Sequence, residues 1–325
     1  MASREMTIAE TVDAVLARWR AGGTAAVASA SAGPRVAGPA VPAALPGDGV
    51  FATVDEAVKA AAEAQLRLAG MSLDDRGRII AIIRRMCVDH AAEWAAMELA
   101  ETRLGRVDHK TEKLLSIPKV LGVEALRTQA RSDSTGLSIL EHAPWGVIGM
   151  VLPVTHSIPT MASNAINVIA AGNTAVFGAH PSGAKCAQHA LRAFNREIER
   201  EVGLRNVIAT TSEATLRHAE ELFQHPSIAL LCVTGGPSVV KAAMKHGKRV
   251  IAAGPGNPPV VVDETADLDA AARAIVAGAS FDNNLLCIGE KEVFVVASVA
   301  DAFIAALKRA GAVQLDAAAI ERLAA

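Results

Sequence analysis

The residues best suited to chemistry lie in one short stretch, Phe281-Asp282-Asn283-Asn284-Leu285-Leu286-Cys287-Ile288-Gly289-Glu290-Lys291-Glu292. Helical spacing from Leu268 to Ser280 precedes it, and an apolar strand-like run, Val293 to Val296, follows. A cysteine at such a junction can face a cleft on one side and be held by packed elements on the other, which suits a nucleophilic thiol. The plainer alternative is a small buried hydrophobe, the usual state of a free cysteine. Asp-Asn-Asn before Cys287 and Glu-Lys-Glu after it are too polar for an ordinary core segment. They surround the sulfur with donors and charges, and sulfur reacts only as thiolate. Cys287 is therefore the candidate nucleophile. Cys87 and Cys186 lie in helical patterns and Cys232 ends a buried-strand pattern, so none of the three is a candidate.

The elements around this stretch must bring it to a cleft. From Val147 onward, apolar runs at 147–152, 174–178, 207–211, 228–233 and 249–252 alternate with helical spacing at 158–171, 183–201, 213–223 and 237–246. That alternation predicts an α/β fold with a doubly wound parallel sheet, covered on both faces. A second β–α–β segment starts at Val260 and runs through Cys287 to a helix at 299–310. Open parallel sheets bind ligands beyond the carboxyl ends of their strands. The loops there hold Pro153, Thr155 and His156, then His180 and Pro181, then Thr234-Gly235-Gly236 directly before a helix. Glycine at such a place permits close backbone approach, and a helix N-terminus attracts phosphate. Gly235-Gly236 alone is a weak signal, since most such pairs are plain turns. No G-x-G-x-x-G follows a strand, so the usual dinucleotide fingerprint is missing.

Before the sheet, Thr53-x-x-Glu56 and Ser72-x-x-Asp75 read as helix-starting capping boxes. Helical patterns follow at 54–69, 73–103 and 109–127, and Leu137 to Glu141 reads as a strand of a flap crossing domains. Further back, Met6 to Arg20 places Ile8, Val12, Val15, Leu16 and Trp19 on one helical face. The Ala-, Gly-, Pro- and Ser-rich run that follows reads as a linker. A sticky helix on a tether is a docking element, unless it folds back on its own domain.

Composition excludes some classes. The 325 residues have room for about two domains. A formal net charge of −2 gives no basic field for nucleic acid or an anionic membrane. The four cysteines lack the close pairing of a zinc site or a disulfide framework, so the expectation is reduced thiols, no metal and a cytoplasmic setting. No apolar run reaches the ~18 residues of a membrane span.

Phe-Asp-Asn-Asn-Leu-x-Cys-x-x-Glu-Lys-Glu-Val closely resembles the active-site segment of the CoA-acylating aldehyde dehydrogenases, a branch of the aldehyde dehydrogenase superfamily. The likeness extends from about Glu141 to Val296 and more loosely back to about Val50. His142-Ala143-Pro144-Trp145-Gly146-Val147-Ile148-Gly149 resembles the family's entry to its cofactor domain, and Asn164 with Ala170-Ala171-Gly172-Asn173 its first helix and turn. His180-Pro181 stands where the family holds the adenosine end of NAD, and Val233-Thr234-Gly235-Gly236 where it faces the dinucleotide phosphates. Gly254-Pro255-Gly256-Asn257-Pro258-Pro259 resembles its crossing into the catalytic domain. The superfamily binds NAD without the glycine fingerprint.

The resemblance implies NAD as cofactor and coenzyme A as co-substrate. Cys287 would attack a short aliphatic aldehyde, propionaldehyde or acetaldehyde, and Pro153, Thr155, His180, Pro181, Thr234, Gly235 and Gly236 would hold the cofactor. It implies an aldehyde dehydrogenase-like NAD-binding domain over 50–255 and an incomplete α/β catalytic domain over 256–325. The leading residues 1–22 resemble targeting helices of bacterial microcompartments, with 23–49 as the linker and a shell protein as partner for residues 6–20. A homo-oligomer is expected of the full-length form.

Three features set limits. The acylating family commonly has Asn where this chain has His156, so His156 either shares in oxyanion stabilisation or caps the following helix. Hydrolytic members carry a Glu just before Leu-Gly-Gly, whereas Ala252-Ala253-Gly254 here has no carboxylate to activate water. The chain stops at Ala325, fewer than forty residues past Cys287, where the family continues. Two alternatives therefore stand beside the acylating enzyme: a hydrolytic aldehyde dehydrogenase, and an inactive truncated cargo or assembly fragment.

Overall fold

The structure, a computed structural model, describes residues 48–256 and 258–324. The expected helix at residues 6–20 and most of the linker lie outside the described residues. A short strand β1 (Val50–Phe51) opens the described chain, followed by helices α1 (Val54–Ala69), α2 (Leu73–Asp89), α3 (Ala91–Thr102) and α4 (Val107–Leu115). A hairpin of β2 (Gln129–Asp133) and β3 (Gly136–Leu140) precedes the main alternation. That runs β4 (Val147–Val151), α5 (Ser157–Ala170), β5 (Thr174–Gly178), α6 (Ala184–Val202), β6 (Ile208–Thr211), α7 (Leu216–Gln224), β7 (Ile228–Thr234), α8 (Pro237–Met244) and β8 (Arg249–Ala253). Then come β9 (Pro259–Val262), α9 (Leu268–Ser280), β10 (Glu292–Val295), α10 (Ala300–Arg309) and α11 (Ala317–Ala324).

The six-stranded sheet has the order β1-β6-β5-β4-β7-β8, every pair parallel. The chain starts this sheet's alternation at β4, winds outward through β5 and β6, then returns to the other side of β4 as β7. The order therefore reverses between β4 and β7, the place where a doubly wound sheet opens a crevice for ligands. Side chains alternate across the strands. Ile148, Met150, Ala175 and Phe177 enter the core under α2, α5 and α6, while Val147, Val176, Leu231 and Val233 face α1 and α7. Each such Ile, Leu or Phe contributes roughly 1.5–3 kcal/mol relative to exposure, which keeps the strand ends rigid enough to carry a site.

Local chemistry explains the boundaries. Thr53 and Glu56 cap each other at the start of α1, through Glu56 N–H to Thr53 Oγ1 and Thr53 N–H to Glu56 Oε2. At α2 the box is half formed: Ser72 Oγ accepts from Asp75 N–H, but the Ser72 hydroxyl donates to Asp75. The single helical run expected over 73–103 breaks at His90, whose backbone leaves the helical region between α2 and α3. The run expected over 109–127 ends at Leu115, and only 3-10 turns at Ile117–Lys119 and Val123–Ala125 follow. Pro118 and Gly122 in that stretch do not sustain an α-helix. The strand expected at Leu137 to Glu141 is half of an exposed antiparallel hairpin, and its partner β2, wholly exposed and polar, had no apolar alternation to announce it. A second parallel pair, β9 with β10, packs with α9 and α10 around Val262, Phe303 and Ala306.

Candidate active site

A cleft of about 790 Å³ lies at the carboxyl ends of the central strands. Its walls are the residues that follow β4, β5, β6 and β7, the start of α7, the turn after β8, the stretch Asn284–Cys287 and Lys291. Every site residue expected from sequence lines it: Pro153, Thr155 and His156 after β4, His180 and Pro181 after β5, Thr234, Gly235 and Gly236 after β7, and Cys287. Residues far apart in the chain meet there because the sheet reverses its winding at β4 and β7.

Cys287 sits half-buried in a turn between α9 and β10. The Gly254–Gly256 segment passes directly over it, so close that a Cβ on Gly256 would lie 2.5 Å from the Cys287 carbonyl oxygen. The other three thiols are placed differently. Burial pushes Cys87 up to about 12 and raises Cys186 and Cys232 above the ordinary thiol range. They are kept as thiols at neutral pH, and a thiol is a poor nucleophile.

The approach to Cys287 is an unusual piece of backbone. Asp282, Asn283 and Asn284 all have left-handed conformations, with φ of 50°, 57° and 57°. Asp and Asn tolerate that region better than other non-glycine residues, though seldom as a run. Asn284 Nδ2 ties the turn to the carbonyls of Ala279 at 2.6 Å and Glu290 at 3.2 Å. Lys291 Nζ donates to the Leu286 and Gly289 carbonyls on either side of Cys287.

Asp282, with no exposed surface, reaches away from the cleft into a buried charged cluster. Its carboxylate accepts from Arg106 N–H at 2.7 Å and pairs with the Lys113 ammonium, while its own amide donates to His109 Nδ1 at 2.7 Å. Burial pushes the carboxyl up, but Lys113 and the Arg106 amide outweigh it and hold Asp282 below its usual range. Removing one partner of such a pair costs about 3–5 kcal/mol. Lys110, one turn earlier on α4 and fully buried, donates to the Thr155 carbonyl at 3.1 Å. Glu98 on α3, also fully buried, accepts from Ile158 N–H at 2.8 Å in the first turn of α5. Burial raises the Glu98 carboxyl, with Lys110 opposing.

His156 lines the cleft and feels the charge of both lysines. It occupies the N-cap position of α5 but makes no side-chain hydrogen bond to the helix. Burial, and then the charges of Lys113 and Lys110, lower it to about 4, so the imidazole is neutral at pH 7. Its Nδ1 lies 2.7 Å from Thr155 Oγ1. Either atom can donate in this contact, and only where the Thr155 hydroxyl donates to Nδ1 does the ring proton sit on Nε2, facing away from Thr155. A neutral imidazole of that tautomer donates one hydrogen bond.

The cleft suits an extended dinucleotide. Gly236, at the N-terminus of α8, has open space where a Cβ would stand, and Gly235 is pinned by its amide to the Ala253 carbonyl at 3.1 Å. Among the described residues no Asp or Glu lines the cleft, and no cluster of His, Cys, Asp and Glu is arranged to hold a metal. No described helix is long and apolar enough to cross a membrane.

Sequence reasoning missed Glu98, Lys110 and Lys113. Lysines three apart on one helix read as a solvated face, and only the structure shows that both are buried.

This fold and this cleft, with a cysteine over the reversed winding of a parallel sheet, agree with comparison to known proteins. Residues 47–317 match the aldehyde dehydrogenase family, and the chain belongs to that family. Acetaldehyde dehydrogenase (acetylating) of Salmonella typhimurium is 46% identical over 85% of this chain and 59% of its own length. A propionaldehyde dehydrogenase from the Clostridium phytofermentans fucose utilisation bacterial microcompartment superposes with a TM-score of 0.77 at 40% identity, covering 80% of this chain and 60% of that one. Rhodopseudomonas palustris propionaldehyde dehydrogenase with bound propionyl-CoA gives a TM-score of 0.80 at 39% identity, over 85% of this chain and 62% of that one. The chain thus spans about three-fifths of the length of these relatives.

Proposed function

We propose that this protein is an NAD-dependent, CoA-acylating aldehyde dehydrogenase for a short aliphatic aldehyde, propionaldehyde or acetaldehyde. The observation that carries the reading is a cleft with one available thiol, Cys287, and no carboxylate among the described residues to activate water. The acetylating relative and the propionyl-CoA-bound structure support thiol transfer over hydrolysis.

In the forward direction the Cys287 thiolate adds to the aldehyde carbon. A C–S bond forms, the carbonyl π pair moves to oxygen, and the product is a thiohemiacetal. The neutral His156 Nε2–H, with the Cys287 backbone N–H, stabilises that oxygen as charge develops. A nicotinamide held in the cleft would accept the hydride released as the carbon–hydrogen bond breaks, and the oxygen pair re-forms the carbon–oxygen double bond of a thioester on Cys287. The thiolate of coenzyme A then attacks the thioester carbon and expels the Cys287 thiolate, giving acyl-CoA. Each step reverses. Pro153, Thr155, His180, Pro181, Thr234, Gly235 and Gly236 bind and orient the dinucleotide along the strand ends. The reading divides the chain into a cofactor domain over 50–255 and a catalytic domain over 256–325, supported by the separate parallel pair β9–β10 with its own small core.

NADH formation from propionaldehyde, with and without coenzyme A, tests the reaction class. Turnover that needs coenzyme A agrees with the reading, and equal turnover without it would replace the reading by hydrolysis. For residues 6–20 the reading is a docking helix for a microcompartment shell protein, supported by its one apolar face and by the microcompartment origin of the Clostridium phytofermentans relative. The full-length assembly is read as a homo-oligomer.

A further inference from the structure

We infer that Lys113 and Asp282 are positioning residues, which hold the left-handed turn that presents Cys287 to the cleft. The inference rests on Cys287 being the nucleophile, and it adds the device that fixes its place.

Three consecutive non-glycine residues in the left-handed region are costly, and such backbone persists only where its surroundings over-determine it. Here Asp282 supplies that constraint. Its side chain is fully buried, pairs with Lys113 and takes the Arg106 amide, and its backbone amide is held by His109. The His109 ring stacks on Phe281, the residue before the turn, at 4.4 Å. Every one of these partners lies on α4 or just before it, about 170 residues from the turn in sequence. Gly105 shows how closely the two segments meet, because a Cβ there would collide with the Asp282 carboxylate.

The same helix holds the other side of the reaction centre. Lys110, one turn before Lys113, binds the Thr155 carbonyl, next to His156. Helix α4 is therefore a common strut behind the nucleophile and its hydrogen-bond donor. Deleting the Lys113–Asp282 pair frees the turn while Pro153, Thr234 and Gly236 remain fixed by the central sheet. Cofactor binding and nucleophile placement are separable on this geometry.

The test uses the full chain with Asp282→Asn, Lys113→Met and the double variant Lys113→Met/Asp282→Leu. Three quantities are read: deuterium uptake of the 281–289 peptide, NAD affinity by calorimetry, and the protection that propionaldehyde gives Cys287 against iodoacetamide. Each single variant is expected to speed exchange in 281–289 about tenfold and to weaken aldehyde protection by a similar factor, with NAD affinity within about twofold. The double variant, with no lone buried charge, regains thermal stability but keeps the fast exchange. Folded single variants with wild-type exchange would overturn the inference. So would a double variant that recovers slow exchange together with stability, or failure of all three variants to fold, since either outcome makes the pair a general stabiliser. Absence of aldehyde protection in the wild type would instead sink the nucleophile reading, while exchange still decides the role of the pair.

Discussion

Gly256 crosses Cys287 at a distance that leaves no room for a side chain: a Cβ on Gly256 would stand 2.5 Å from the Cys287 carbonyl oxygen and 3.3 Å from its carbonyl carbon. Both contacts are to backbone, which cannot rotate aside. Gly256→Ala must push the Cys287 turn and the crossing segment apart. The expected result is a loss of acyl transfer of about a hundredfold, as for a misplacement of about 1 Å, with NAD affinity retained. Unchanged acyl transfer in Gly256→Ala would show that the crossing does not govern the nucleophile.

His156 sets a pH dependence of stability. Its folded-state value, about 4, is depressed from an ordinary 6.5. Between those values the unfolded chain binds a proton that the native protein does not. Stability from this group is complete above pH 6.5 and falls as pH drops towards 4, by up to about 3 kcal/mol. Denaturant titrations of wild type and His156→Asn at pH 7 and pH 4.5 measure it. The variant should lose less stability over that interval, and parallel losses would contradict the burial of a neutral imidazole.

The two glycines after β7 separate folding from binding. A Cβ on Gly235 would meet Val239 Cγ1 at 2.6 Å, so substitution there disturbs α8 as well as the cleft. Gly236 has φ −67° and no atom within 4 Å of where a Cβ would stand, so any residue fits its backbone. Gly236→Val should weaken NAD binding about tenfold or more with little change in melting temperature. Equal NAD affinity in the folded variant would place the phosphates elsewhere.

Residues 6–20 can be tested apart from the enzyme. Residues 1–22 fused to a fluorescent reporter, in a cell making microcompartment shells, should give puncta. A Val12→Asp/Leu16→Asp fusion, which breaks the apolar face, should remain diffuse. Diffuse signal from the native fusion, or equal puncta from both, removes the targeting proposal and leaves the enzymatic one untouched.

Much of the fold was legible because its period is strong. The strands at 147–151 and 174–178 and the helix at 268–280 are apolar runs bounded by Gly, Pro or polar turns, and they stand within a residue or two of expectation. The hairpin strand 129–133 was not, because a strand exposed on both faces carries no alternation. The cleft lining was legible once a parallel sheet was assumed, since the rule of carboxyl ends names the loops. The support behind it was not. Lys110 and Lys113 look like surface charges on α4 until Asp282 and Thr155, distant in sequence, arrive over them. Nothing in the letters Asp-Asn-Asn declares a left-handed backbone, although these are the residue types that accept it.

The most direct measurement is acyl transfer in reverse, because it calls on Cys287 and an acyl-CoA without aldehyde or dinucleotide. The purified protein is incubated with propionyl-CoA, digested, and mapped by mass. A propionyl adduct on the peptide bearing Cys287, reversed by added coenzyme A and missing in Cys287→Ala, is the predicted result. An adduct on Cys232 or Cys186, or none on Cys287 in a protein that still binds NAD, would contradict the account.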